Sequence, residues 1–388
     1  MGLGNGATQS PRTVLEQRIR ERRQTFEEFV EFAETFAREH HEPGTLSVRH
    51  LQRLTAGRRP DGSPLGSVRP ATARLLERIF STSIGELLSA PHGIGVADES
   101  AEELRRMLGA SERVDADVIA LLNEQLDAVR RLDRQLGAIV AHDEVKSKAE
   151  QVARLLAHSL LPGVRSKLAG LLSELHTLAG WQALDIGSAT KSWQHYEHAK
   201  AAAVESGAVP FEAHSAAEQA FVLLEIGKSS EAVEILADAR SRADRSASRL
   251  LRAWIAAAHG EALAVAKQRS ASLRAFDEAA ALLPADTTGD GGPYVALDPT
   301  HLARWRGHAL ARFGDAEAVS MLSGALERLD PSFARAEAAL RVDLATALLA
   351  MGEQDAARQH AAVAGQLAAG IGSARQDRRL RTLARQLV

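Results

Sequence analysis

The stretch Gly187-Ser188-Ala189-Thr190-Lys191-Ser192-Trp193-Gln194-His195-Tyr196-Glu197-His198-Ala199 sets Gly, Ser, Tyr and Ala at intervals of 5, 4 and 3 residues. The same intervals recur at Gly227, Ala232, Leu236, Ala239, at Lys267, Ser272, Phe276, Ala279, and at Gly352, Ala357, Ala361, Ala364. Each position has a physical reason. Glycine ends a first helix where a left-handed residue is needed, and small residues follow where two helices cross closely. The bulkier third residue fills the groove between hairpins, and the last small one admits the next hairpin. Pro284 stops a second helix five residues after Ala279, as a residue without an N–H must. A further unit around Gly307, Gly314 and Leu326 fits with about one residue fewer and ends at Asp330-Pro331.

The pattern predicts an all-α fold whose C-terminal part is a stack of paired helices. It resembles tetratricopeptide repeats, although Gly187, Gly227 and Lys267 are 40 residues apart and the ordinary period is about 34. The composition agrees. Aromatic residues are 4% of the chain while Ala and Leu dominate the apolar set, which favours helices. With 45% hydrophobic and 25% charged residues the chain is globular. Its 388 residues exceed one ordinary core.

Organisation follows from the breaks. Residues 12–90 carry short apolar-periodic segments, and Ala90-Pro91-His92-Gly93-Ile94-Gly95 reads as the start of a linker over 91–114. From 115 to 388 come connecting helices and the array. The run Val118, Leu121, Leu122, Leu126, Val129, Leu132, Leu136, Val140 makes one apolar stripe at helical spacing. It reads as a connecting helix, packed within its own chain or forming a dimer seam. The basic, amphipathic segment 375–388 reads as the cap of the stack.

The N-terminal region carries a second signal in Thr45 to Arg59. Ser47 is a good N-cap, Leu46, Leu51 and Leu54 anchor a short helix inward, and Gly57 ends it. Val48, Arg49, Gln52 and Arg53 then face outward, with Arg58 and Arg59 just beyond. This resembles the recognition helix of lambda-repressor-like helix-turn-helix proteins, whose early residues read base edges in the major groove. The resemblance implies that Arg49 and Arg53 bond guanine, Gln52 adenine, and Arg58 and Arg59 phosphates. The preceding segment departs from that class: Thr25 is followed by Phe26, about eleven extra residues separate Thr25 from Ser47, and Glu27, Glu28, Glu31 and Glu34 make the first helix acidic.

A helix-turn-helix-like head before tetratricopeptide hairpins is similar to a group of actinobacterial transcriptional regulators. Phe26-Glu27-Glu28-Phe29-Val30, His301-Leu302-Ala303-Arg304-Trp305-Arg306-Gly307-His308 and Leu344-Ala345-Thr346-Ala347-Leu348-Leu349 look like that group's phrases. The resemblance implies operator duplex DNA as one partner, a homodimer, and a peptide, small-molecule or protein effector in the array. The alternative is an adaptor that binds proteins and no DNA. With a net charge of -3, nucleic-acid affinity must come from a local patch.

In such arrays the first helix of each hairpin lines the concave face. Counting back from each Gly places Glu174, Trp181, Asp185, His214, Glu218, Phe221 and Glu225 there, then Trp254 and Glu261, then His301, Arg304, Trp305, His308 and Arg312, and finally Asp343 and Thr346. The candidate ligand residues are Trp254, Glu261, His301, Arg304, Trp305, His308 and Arg312. An extended peptide or small effector would set its acidic end on Arg304 and Arg312 and its basic end on the carboxylates. Packing of the tryptophans between hairpins is the competing reading.

Catalysis is not expected. The chain has no phosphate loop with Lys and no Gly-x-Ser-x-Gly elbow. It has no cysteine, hence no disulfide or thiolate site. His40-His41 and His195, Tyr196, His198 lack a neighbouring carboxylate at ligand spacing, so neither metal nor cofactor is expected. The stretch Asp286 to Pro293 lacks the alternating oxygens of a calcium loop. Met1 to Ser10 has no apolar core and no long apolar run follows, which makes a cytoplasmic location without a membrane span the expectation.

Overall fold

The computed structural model describes residues 11–40, 42–58, 65–91, 96–244, 246–286 and 292–387, and among these it forms 19 helices. The chain divides into two compact units, 1–105 and 106–388.

The first unit holds α1 (Val14–Glu21), α2 (Phe26–Glu39), α3 (Val48–Thr55), α4 (Pro70–Phe80) and α5 (Ile84–Leu87). Thr25 and Glu28 form a capping box at the start of α2. Ser47 accepts the His50 amide at the start of α3, satisfying one of the orphan donors of a first turn. Leu15, Ile19, Phe29, Leu46, Leu51, Leu54, Leu76 and Leu87 make its core. The Val14 amide bonds the Ser89 carbonyl at 3.1 Å, bringing the ends of the bundle together. Most of the expected linker is helical: α6 (Val96–Glu112) spans the division between the units.

The second unit is built of six hairpins: α7 (Ala116–Leu136) with α8 (Ala138–His158), α9 (Pro162–Asp185) with α10 (Ala189–Ser206), and α11 (Val209–Glu225) with α12 (Ser229–Ala243). Next come α13 (Arg249–Val265) with α14 (Arg269–Leu282), α15 (Pro299–Arg312) with α16 (Glu317–Arg328), and α17 (Ala334–Ala350) with α18 (Gln354–Ile371). A last helix, α19 (Ala374–Ala384), packs on α18, α17 and α9. This is a tetratricopeptide-type α-solenoid.

The periodic positions do what their spacing requires. The residues that end the first helices, Gly187, Gly227, Lys267, Gly314 and Gly352, all have φ between 62° and 91°. Lys267 takes the left-handed conformation although it carries a side chain, because the hairpin geometry sets the backbone there. The bulky residue of the second helix lies over a glycine of the first. A methyl group on Gly180 would come within 3.0 Å of the Tyr196 ring, and one on Gly260 within 2.9 Å of the Phe276 ring. Ser192 and Ser272 donate to the carbonyls of Gly180 and Gly260, each at 2.7 Å.

Two expectations change. The apolar run 118–140 is two helices, because Gly137 (φ 80°) turns the chain beside Ile371. Leu126 and Val129 are buried while Leu121, Leu132, Leu136 and Val140 are exposed. More consequentially, the array is not an open ribbon: α17, α18 and α19 return to α7 and α9.

Candidate functional site

Closure of the array makes a chamber of about 260 Å³. Its wall comes from α7, α9, α11, α13, α15, α17 and α19, and from Tyr294, Val295 and Ala296 between α14 and α15. The first helix of every hairpin therefore faces inward, and α19 completes the wall.

The closure is ionic. Arg335 donates from Nη1 and Nη2 to the two oxygens of Asp133 on α7, both at 2.8 Å, and from Nε to Asp185 on α9 at 3.0 Å. Asp133 also accepts from Gln182 at 2.9 Å, and Asp185 from Ser373 Oγ at 2.6 Å. Burial disfavours the Arg335 cation, but Asp133 and Asp185 outweigh it and raise its pKa. Such geometry is what a buried ion cluster requires. Arg375 and Arg378 add a clamp on Glu225 of α11.

Inside, Phe221, Trp254 and Trp305 meet at ring-centroid distances of 5.9 to 6.3 Å. Trp181 stands edge-on to Phe221 at 5.9 Å. They form one aromatic surface, to which Arg375 adds a cation over the Trp181 ring. Tyr294 crosses from the α14–α15 connection: its amide donates to Glu174 at 3.0 Å, its hydroxyl accepts from Arg134 at 2.5 Å, and its ring lies under Arg130.

The wall carries six carboxylates, Asp133, Glu174, Asp185, Glu218, Glu261 and Asp343, and six guanidinium groups, Arg130, Arg134, Arg304, Arg335, Arg375 and Arg379. Arg130 pairs with Glu174, Arg379 with Asp343, and His308 with Glu261. Burial works against ionisation of Glu174, Glu261 and Asp343, but these neighbours hold all three below the usual carboxylate range. Burial pushes Glu218 upward, and its oxygen lies 3.3 Å from the Tyr196 hydroxyl. His214 stands 3.6 Å from Glu174 and 3.7 Å from Glu218.

Two of the six cations, Arg134 and Arg304, have no carboxylate within ion-pair distance among the described residues, and the Nε of each has no hydrogen-bond partner. Arg134 donates to the Tyr294 hydroxyl and lies over the Phe333 ring, whereas no such partner is found among the described residues for Arg304. Burial pulls its pKa down, with Asp343 and Glu261 acting only at longer range. Glu174 Oε1, Glu261 Oε2, Thr177 Oγ1 and His301 Nε2, all in the same wall, also lack hydrogen-bond partners among the described residues. Most buried polar atoms are bonded, so several orphans around one cavity require an explanation.

Of the seven candidate ligand residues, Trp254, Glu261, His301, Arg304, Trp305 and His308 line the chamber. Arg312 does not: it is exposed near the end of α15. Glu225 and Thr346 also lie outside the lining, whereas Glu174, Trp181, Asp185, His214, Glu218, Phe221 and Asp343 are in it. The sequence reading missed Arg130, Asp133 and Arg134 on α7, Tyr294, Arg335, and Arg375 and Arg379 on α19. Arg130 and Arg134, and Arg375 and Arg379, are each four apart on one helix face, the only local sign of them.

In the first unit Arg49, Gln52, Arg53 and Arg58 are exposed. Arg53 and Arg69 both depress the His50 pKa, after burial, which marks a positive patch at α3. Val48 departs from the outward placement: it is half-buried and packs on the core. Arg59 lies outside the described residues.

No family model matches the chain, and no curated protein matches it. Among solved structures, a candidate kinesin light chain from Podosopora anserina with nearly identical TPR-like repeats is similar. It has 18% identity over 51% of this chain and 95% of that one, with a TM-score of 0.35. No helix of the described residues is long and apolar enough to cross a membrane.

Proposed function

We propose that this chain is a ligand-responsive DNA-binding regulator of transcription. Its array takes a compact zwitterionic small molecule or very short peptide, and its α3 region reads duplex DNA. The observation that carries the ligand reading is Arg304, a cation in the chamber wall that among the described residues has no carboxylate partner and, unlike Arg134, no tyrosine hydroxyl or aromatic face to take its place. A carboxylate of the ligand supplies the missing anion, in a geometry guanidinium groups favour. The ammonium or basic group faces the unbonded oxygens of Glu174 and Glu261, and the apolar body lies on Phe221, Trp254 and Trp305. A chamber of about 260 Å³ is slightly smaller than ordinary ligand sites, which span about 300–1,000 Å³. That size, with the ionic closure by Arg335, favours a compact ligand over the extended peptide that an open trough would hold.

The DNA reading rests on the exposed set Arg49, Gln52, Arg53 and Arg58 at α3 and on the resemblance to lambda-repressor-like heads. A homodimer on a two-fold operator is the expected form. The test is binding of the full chain to duplex DNA at two salt concentrations, followed by selection from a random duplex pool. A DNA reader weakens steeply as salt rises and yields an enriched sequence that R49A/R53A no longer selects. An adaptor binds at neither salt concentration, and that result removes the regulator reading while leaving the ligand chamber standing.

A further inference from the structure

Four histidines from three helices gather outside the chamber lining: His142 of α8, His176 of α9, and His195 and His198 of α10. His176 Nδ1 and His195 Nδ1 stand 3.2 Å apart. One nitrogen from each of His176, His195 and His198 lies within 4.8 Å of the others. Two nitrogens bound to one tetrahedral zinc ion at about 2.0–2.1 Å are roughly 3.3 Å apart. The first pair is therefore already at ligand spacing. His198, one turn along α10 and exposed, has the freedom to swing in and complete the set.

His142 is held differently. Its Nδ1 faces the Gln182 side-chain oxygen at 3.2 Å, and its ring lies edge-on to His195. Gln182 in turn bonds Asp133 of the ionic closure. His142 thus packs against the set and orients it.

We propose that His176, His195 and His198 bind a borderline divalent transition-metal ion of the zinc class, pinning α9 to α10 and leaving a fourth position for water. Three imidazoles suit zinc, cobalt, nickel or copper; a set without carboxylates does not suit magnesium or calcium. The proposal is independent of the ligand chamber.

The test uses the untagged full chain, dialysed against chelator, titrated with Co²⁺ by visible absorption and with Zn²⁺ by calorimetry. One saturable site per chain is expected, with the ligand-field bands of low-coordinate cobalt. H198A is expected to weaken Zn²⁺ by at least about tenfold, because loss of even an outer-shell partner of a ligand costs about that much, and H195A to abolish binding. H360A, remote from the cluster, is the control and leaves binding unchanged. His198 is exposed, so H198A keeps the test valid even if H195A fails to fold. The proposal is overturned if neither ion binds saturably up to about 1 mM, an affinity of only about -4 kcal/mol. Equal affinity in wild type and H198A also overturns it.

Discussion

Replacing Arg335 by Met removes the group that ties α17 to α7 and α9. The substitution deletes three hydrogen bonds of 2.8 to 3.0 Å and leaves Asp133 and Asp185, each 2% exposed, without their cation. Breaking a buried pair on one side costs about 3–5 kcal/mol. Gln182 still donates to Asp133 and Ser373 to Asp185, which places the loss near the lower end, about 3 kcal/mol. A repeat array opens locally, so the loss is read best by amide exchange. Protection of α17–α19 and of α7 is expected to fall roughly a hundredfold, since about 1.4 kcal/mol is a factor of ten, while α11–α14 change little. Adding D133N and D185N to the same chain is expected to return part of the protection, because no buried charge is then left unpaired. A fall of less than about fivefold, under ~1 kcal/mol, would refute the ionic closure.

Three further outcomes follow from the hairpin geometry and the buried histidines. G260A places a methyl group 2.9 to 3.2 Å from the fully buried Phe276 ring. Overpacking of about 1–3 kcal/mol exceeds the gain in helix propensity of about 1 kcal/mol, so the urea midpoint falls; G370A, with nothing within 4 Å, raises it. K267G relieves the left-handed lysine (φ 62°) and raises the midpoint by up to about 1 kcal/mol equivalent; an unchanged or lower midpoint contradicts the strain. His176, His195 and His259 have pKa values lowered to about 4, in each case first by burial. The unfolded chain binds these protons near pH 6.5 and the folded chain only near 4. Their contribution is therefore full above 6.5 and lost as pH falls towards 4. His259 faces Arg240 at 2.9 Å and Glu278, and H259N is expected to show a shallower fall in urea midpoint from pH 7 to 5 than wild type. An identical slope rules His259 out as a source.

The hairpins were legible because crossing geometry repeats: Tyr196, Leu236 and Phe276 are fully buried at one register position, and even Lys267 obeys the turn. The inner face was legible by counting back from each turn, which is how Glu174, Trp254 and Trp305 came to be placed in it. Arg312 fell outside: it is the last residue of α15, two residues before the turn glycine Gly314, and Glu225 of α11, at the same place, also leaves the wall. Closure was not legible. Arg335 meets partners 150 and 202 residues away, and no local spacing encodes such a contact. The histidine set was missed for a related reason: His195 and His198 are neighbours on one helix, but His176 reaches them only through the crossing of α9 and α10.

The proposed ligand sets an anionic group against Arg304. Three of the four tryptophans, Trp181, Trp254 and Trp305, line the chamber, so W193F protein reports on it by fluorescence. Titrating that protein with a full set of dipeptides, as free acids and as C-terminal amides, is expected to give saturable emission changes for some free acids. Their amides should give none, and R304M should abolish the response while keeping its helical circular dichroism. Equal responses to acids and amides, an intact response in R304M, or silence across the whole set would contradict that placement.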